Sequence, residues 1–386
     1  MPELHALLSP SAAYRWMHCP AAPRLEQDAP DTASSYALEG TLAHAICARK
    51  LKDILHQDTA AERAEIEKLK AEYYSGEMSE YTDTYVTVVM AKYNAARRKT
   101  ADARLLIETR LQFDDYVPES FGTADALVIA DGCMDVVDFK YGKGVRVDAT
   151  DNTQMKIYAL GAYLANNFEY RIDRICMTIV QPRIDNICEY EITVDDLMEW
   201  AESELAPKAR EAYNGTGEQN PGTWCQFCKV KNRCKALAAR CLDTVEEYND
   251  PKLVSKADME SRVLPMLDII KTWLTGMEEY ALQQALAGTS YNGYKVVEGR
   301  SNRKISNEAE ARAILAKEGY AESEYLKPAA LRGITDLEKL VGKKRFAALM
   351  ADYLTKPQGK PALVPASDKR PPYSSAAVDF DGIDIN

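Results

Sequence analysis

The stretch Gly122-Thr123-Ala124-Asp125, with the run through Ile129, Asp131-Gly132 and Met134 to Asp138-Phe139-Lys140, decides the fold. Its two apolar runs, Gly122 to Ile129 and Met134 to Lys140, are rich in β-branched residues and predict strands. Asp131-Gly132 between them is a hairpin-turn pair, because glycine adopts positive φ without steric penalty. On adjacent antiparallel strands Asp125 and Asp138 meet at one end of the hairpin. Lys140 lies two residues past Asp138, so both side chains share a face. Two carboxylates side by side repel unless a cation lies between them, which calls for Mg²⁺ or Mn²⁺. The Lys140 ammonium would orient a water and stabilise charge on a phosphate. Asp138 follows Met134, Val136 and Val137, and a charge ending an apolar strand is expensive without a partner.

Working outward, Leu105 to Leu111 predicts a third strand. Upstream, Ser9 and Pro10 suit the cap and first turn of a short helix ending near Cys19-Pro20. Helical spacing of Leu38, Leu42, Ala45 and Ile46 predicts a helix from Tyr36 to His56, with others over 60–75 and 79–98. Downstream come a helix from Thr153 to Asn166, strands Ile175 to Gln181 and Ile187 to Ile192, and a helix over 193–213. This order describes an α/β core, a mixed sheet flanked by helices. An amphipathic helix over 256–288 precedes a small, mostly helical region to 355. The last residues carry Pro357, Pro361, Pro365, Pro371 and Pro372 and an acidic end, which predicts an extended or disordered tail. Three regions are therefore expected: 1–245, 246–355 and 356–386.

The chain has 386 residues, 46% hydrophobic and 28% charged, with a net charge of −11. No stretch approaches the roughly 20 apolar residues of a membrane span. Met1-Pro2-Glu3-Leu4-His5 lacks the basic, apolar start of a secretory signal, so the expected location is cytoplasmic. The acidic balance argues against nonspecific coating of DNA. A metal-site enzyme needs only a local basic groove, and basic clusters occur at Lys140 with Lys143 and Arg146, and from Lys229 to Lys235. Arg97-Arg98-Lys99 reads as a solvated helix face.

Further candidates surround the hairpin. Gln154 and Tyr158 stand four apart, on one face of their helix. Glu39-Gly40-Thr41-Leu42-Ala43-His44 places one imidazole in an apolar helix. Of nine cysteines, Cys47, Cys133, Cys176 and Cys188 read as buried small hydrophobes. Cys225-Gln226-Phe227-Cys228 with Cys234 instead gathers three thiols in a loop. Spacing alone fits either zinc or an iron–sulfur cluster, each needing a fourth ligand.

Together these residues resemble the RecB-like branch of the PD-(D/E)xK nucleases. The resemblance implies a restriction-endonuclease-like core and a deoxyribonuclease, in first place an exonuclease. In it His44, Asp125, Asp138 and the Phe139 carbonyl would bind Mg²⁺ or Mn²⁺, with Glu108 as an additional acid. Lys140 would be the catalytic lysine, and Gln154 and Tyr158 would contact DNA near the scissile phosphate. Ser11-Ala12-Ala13-Tyr14-Arg15-Trp16-Met17-His18-Cys19-Pro20 and the downstream thiols are similar to the cysteine staple of AddB-type and CRISPR-adaptation nucleases. That likeness implies a 4Fe–4S cluster on Cys19, Cys225, Cys228 and Cys234, with Zn²⁺ as the alternative and Cys241 a substitute ligand. Gly293 to Arg300 and Lys356 to Pro361 look like a phage- and prophage-encoded group of such enzymes. That implies work in DNA replication or recombination inside a bacterial host cell. A phage single-strand-binding, annealing or replication protein would dock on the tail, with Phe380 as anchor. The rival readings are a non-catalytic DNA-binding scaffold and a zinc-stapled interaction protein.

Overall fold

Gly132 sits at φ +82°, and Ala130 pairs with Cys133 across the two-residue turn, as the Asp-Gly pair predicts. The computed structural model describes residues 6–29, 35–247, 255–299, 303–327, 330–355, 361–366, 368 and 370–373. Helices α1 (Ala13–His18), α2 (Ala22–Glu26), α3 (Ser35–Ile54), α4 (Ala60–Tyr73) and α5 (Gly76–Lys99) precede three strands. These are β1 (Arg104–Gln112), β2 (Phe121–Ala130) and β3 (Gly132–Phe139). Helix α6 (Thr153–Asn166) leads to β4 (Ile172–Gln181) and β5 (Asn186–Thr193). Helix α7 (Val194–Trp200) then runs through a π-turn into α8 (Ala206–Asn214).

The five strands lie in chain order. Strands β3 and β4 are parallel and all other neighbours antiparallel. A parallel pair needs a long crossover, and α6 supplies it. Both faces of this mixed sheet are covered. Leu127, Ile129, Met134, Val136, Ile175, Met177 and Ile179 pack on the side of α6, with Trp16 and Leu197. Ala126, Val128, Val137, Phe139 and Val180 pack on the side of α3 and α5, with Leu42, Cys47, Tyr85 and Val89. Apolar residues on both faces explain why β2 reads as a near-continuous hydrophobic run. Each fully buried Leu, Ile or Val among them stabilises the core by about 1.5–3 kcal/mol.

The alternation breaks at one place. Ala126 belongs to the α3 side but Ala124 to the α6 side, and likewise Ile107 against Leu111. Residues two apart or four apart in a regular strand would share a face. The break is centred on Glu108 and Asp125, which lie opposite each other without a ladder pairing. Glu108 has φ +47°, a left-handed conformation costing a non-glycine residue about 1–2 kcal/mol.

Several expectations need correction. Ser9 precedes a 3₁₀ turn, Pro10–Ala12, and its side chain makes no capping hydrogen bond. Its carbonyl accepts from Trp16 Nε1 at 3.1 Å instead. Cys47 is buried, but Cys133, Cys176 and Cys188 are only partly so, and Cys176 lies 3.6 Å from Lys92 Nζ. The chain divides into compact units Met1–Trp273 and Leu274–Asn386. Leu237 and Cys241 share a buried cluster with Met266 and Ile269, which keeps those segments in the first unit.

The second unit has its own core of Ala311, Leu315, Tyr325, Leu337, Val341, Phe346 and Met350. In it Pro361–Pro365 pairs antiparallel with Tyr294–Glu298, so this part of the proline-rich tail is a strand. Phe380 and the acidic end lie outside the described residues. Among the described residues, no helix is long and apolar enough to cross a membrane.

Candidate metal centre and cysteine cage

The Asp125 carboxylate occupies the point where the β2–β3 ladder stops. The last ladder pair is Ala126 with Val137, and Asp125 Oδ2 accepts the Phe139 N–H at 2.7 Å in place of a further backbone bond. Its other oxygen faces His44 Nδ1 of α3 at 3.3 Å. The His44 ring is set edge-on against Phe139, 5.3 Å between centroids. Glu108, turned by its left-handed backbone, brings its carboxylate to the same place. Ligand atoms of His44, Glu108 and Asp125 all lie within 4.8 Å of one another.

Asp138 stands beside this group but is held differently. It is 4% exposed, and Lys140 Nζ lies 3.3 Å from Oδ1 and 3.0 Å from Oδ2. Gln154 of α6 bridges the pair, donating to Asp138 Oδ1 at 3.2 Å and accepting from Lys140 Nζ at 3.0 Å. Asn152 fixes that helix start, its side chain accepting the Met155 N–H at 3.2 Å. Asp138 Oδ2 faces the ammonium yet makes no well-formed hydrogen bond, an orphaned buried acceptor. A buried carboxylate oxygen of this kind suits a cation.

The electrostatics carry the same signature. Loss of hydration pulls the His44 pKa down, but Asp125, with Glu108 and Asp138 behind it, outweighs this and raises it to about 9. Glu108 is pushed up to about 7, first by burial and then by the Asp125 charge, against the pull of His44 and Lys52. Burial would raise Asp125 too, but the His44 charge and hydrogen bond bring it below the usual range. Asp138 is raised, because burial outweighs Lys140. Crowded acids that a divalent cation would relieve are the chemistry of a hard-metal site.

Glu108, expected only as an additional acid, sits with His44 and Asp125. Tyr158 is held from the core side. At 7% exposure it packs against Phe113 and below Gly122, where a Cβ would come within 2.9 Å of its ring. Its hydroxyl engages Gln154. It therefore braces Gln154 from the core side. The Phe139 N–H is engaged with Asp125.

Other residues went unread. Arg183, at the end of β4, grips both oxygens of Glu39 at 3.3 Å and lies 4.6 Å over the Tyr141 ring. It thereby ties the helix carrying His44 to the segment that follows β3. Lys52, two turns beyond His44, pairs with Glu62 at 2.6 Å beside Glu108. The only sequence signal was Glu39 itself, in the segment ending at His44.

Cys19, Cys225, Cys228 and Cys234 all line one cavity, with Arg15, Asn220 and Trp224. Backbone N–H groups of Asn220, Gly222 and Leu237 point at the sulfurs of Cys19, Cys225 and Cys234, each at 3.4 Å. Buried Glu26 pairs with Arg15 at 2.9 Å and accepts the Lys229 N–H at 2.6 Å. Burial, then the Glu26 charge, pushes the Cys228 thiol up to about 12. His18 stacks on Trp224 at 4.4 Å, closing α1 onto the cysteine loop. Thiols converging on one cavity under N–H donors fit a thiolate-bound metal group. Cys241 does not line the cavity; it is fully buried packing.

The chain is similar to the crystal structure of a provisionally named exonuclease from Eubacterium rectale, at 10% identity and a TM-score of 0.32. That match covers 66% of this chain and 92% of the other. It is also similar to the crystal structure of SSO0001, at 15% identity and a TM-score of 0.26, over 50% of this chain and 85% of the other. Neither likeness is close enough to argue from. A family model described as "Protein of unknown function (DUF2800)" matches residues 5–371, and the chain belongs to that family.

Proposed function

We propose that this chain is a metal-dependent deoxyribonuclease, an exonuclease, that hydrolyses phosphodiester bonds. The observation that carries the reading is the convergence of His44, Glu108 and Asp125 within 4.8 Å, next to the Lys140–Asp138–Gln154 triad. His44, Glu108, Asp125 and Asp138 would hold Mg²⁺ or Mn²⁺. When bound, such a cation supplies Lewis acidity and charge neutralisation at a phosphoryl oxygen. Lys140 is paired with Asp138 and aimed by Gln154, so it can hold a water in line with phosphorus and stabilise charge developing there. Tyr158 and Asn152 fix Gln154, and Arg183 fixes α3, so these groups meet the substrate already oriented. The direct test is end-labelled single- and double-stranded DNA with Mg²⁺ or Mn²⁺. Mononucleotide release supports the exonuclease, internal cuts replace it with an endonuclease, and no cleavage under either metal sinks the reading.

The cysteine cage is read as the seat of a 4Fe–4S cluster joining α1 to the loop after α8. Zinc is the alternative occupant of the same four thiols, and the sequence resemblance is what favours the cluster. A place in phage DNA replication or recombination rests on the sequence resemblance alone.

A further inference from the structure

The segment after Lys140 leaves the site and returns to it at Gln154, and buried side chains grip its middle. Gln181, at the end of β4, is 1% exposed. Its Nε2 donates to the carbonyls of Gly142 at 2.7 Å and Val145 at 2.8 Å. Its Oε1 accepts from the Val147 N–H and from Asn186 Nδ2, both at 3.1 Å. Asn186, equally buried, donates to the Val147 carbonyl at 2.8 Å. Both polar atoms of the Gln181 amide and Asn186 Nδ2 are satisfied in this way, whereas Asn186 Oδ1 has no hydrogen-bond partner; breaking any of these bonds would leave a desolvated donor or acceptor, so they fix a shape.

What this network holds is exposed. Gly142, Lys143, Gly144, Val145 and Arg146 all face solvent. A Cβ on Gly142 or Gly144 would meet nothing within 4 Å. Lys143 and Arg146 form no hydrogen bond or ion pair among the described residues, whereas Arg183, Lys140 and Lys52 nearby are all paired. The structure thus spends two buried amides on rigidifying a tip that carries two cations in no ion pair, with the Arg146 charge also felt by Asp148. Lys143 is three residues from Lys140, at most about 11 Å of chain, or about three rises of 3.4 Å along a nucleic-acid strand. The carboxylates at the metal centre repel a phosphate backbone, so binding needs compensating cations beside them.

Resting on the nuclease reading, we propose that residues 142–147 are a phosphate clamp. Lys143 and Arg146 bind two phosphates of the DNA strand on one side of the scissile bond, and Gln181 and Asn186 hold the clamp in place. The test measures binding of fluorescent oligonucleotides to the full chain across a salt series, with Ca²⁺ replacing Mg²⁺. Lys143→Ala with Arg146→Ala should weaken binding about tenfold or more. It should also lower the slope of log K against log salt by about 1.4–1.8, the loss of two phosphate contacts. Gln181→Met keeps both charges, so it should weaken binding with the slope nearly unchanged; thermal melts check that both variants fold. A wild-type slope in the double variant, or no DNA binding by wild type, overturns the clamp. Hydrolysis of bis(p-nitrophenyl) phosphate by wild type reports on the nuclease reading separately: its absence, with the slope change intact, keeps the clamp and removes the nuclease.

Discussion

Glu108 lies directly opposite Asp125 across β1 and β2, and the two strands change faces at that point. A left-handed glutamate inside a strand, with a carboxylate raised to about 7, is costly on both counts. Replacement should therefore stabilise the fold while damaging the site. Asparagine tolerates left-handed φ and carries no charge. Glu108→Asn is expected to raise the thermal midpoint by about 2–4 °C, and to weaken Mn²⁺ binding at least tenfold by calorimetry. Glu108→Gln, which keeps the strain, should lose metal without that full gain. A less stable Asn variant with normal Mn²⁺ affinity would show that the strain serves packing instead.

Metal affinity should rise with pH in two stages. A ligating imidazole must be neutral and a ligating carboxylate ionised. With His44 raised to about 9 and Glu108 to about 7, binding below about pH 7 displaces two protons. Between about 7 and 9 it displaces one, from His44, because Glu108 is already ionised there. The slope of log K against pH should fall from about two to about one to zero. Glu108→Gln should remove the steepest part and leave the His44 stage. A pH-independent affinity would exclude both residues as ligands.

Lys140→Met should abolish DNA cleavage, by more than about 100-fold, while circular dichroism stays native. Asp138 would then keep only the Gln154 hydrogen bond in a buried place, so the variant should also be less stable. The double variant Lys140→Met with Asp138→Asn should recover stability but not cleavage. Cleavage retained in either would mean that another group handles the water.

The sheet and the hairpin were legible because their signals are local: β-branched runs, one Asp-Gly turn, and strand parity that puts Lys140 beside Asp138. His44 and Asp125 were reachable through the resemblance, and the two come within 3.3 Å. The resemblance offered Glu108 only as an additional acid, and parity did not place it, because parity assumes a regular strand and Glu108 is where the strand stops being regular. The depth of Tyr158 was not legible for a related reason. Helical spacing puts it on the face of Gln154, but depth depends on Gly122 and Phe113, which approach from elsewhere in the chain. The Glu39–Arg183 tie and the Gln181–Asn186 grip are long-range contacts of polar residues with no periodic signature.

The cysteine cage separates two kinds of thiol. Cys225→Ser should remove the visible absorbance of an iron–sulfur cluster and lower the thermal midpoint, since Cys225 both lines the cage and packs in a buried cluster. Cys241→Ser should lower stability as well, through a buried hydroxyl, but keep the absorbance. Stoichiometric zinc and no iron in purified protein would end the cluster reading and leave the nuclease reading intact.

The final prediction concerns the tail. An unattached proline-rich end would be dispensable for folding, and truncation after Leu354 would leave the second unit untouched. The described residues point the other way. Strand Pro361–Pro365 covers Tyr294–Glu298, and Val297 beneath it is fully buried. The Tyr373 N–H donates to Val296 at 2.6 Å, and Arg370 Nη1 donates to the Glu298 carbonyl at 3.2 Å. Truncation after Leu354 should therefore strip one edge of that strand, expose its backbone groups and promote aggregation. Truncation after Tyr373 removes none of these contacts and should leave the thermal transition of the second unit in place. Any docking of a replication or recombination partner, with Phe380 as anchor, is then confined to residues 374–386 and should be lost in a pull-down with the shorter truncation. If truncation after Leu354 gives a soluble protein with an unchanged second transition, the strand is an accessory and the whole tail returns to the role of a docking peptide.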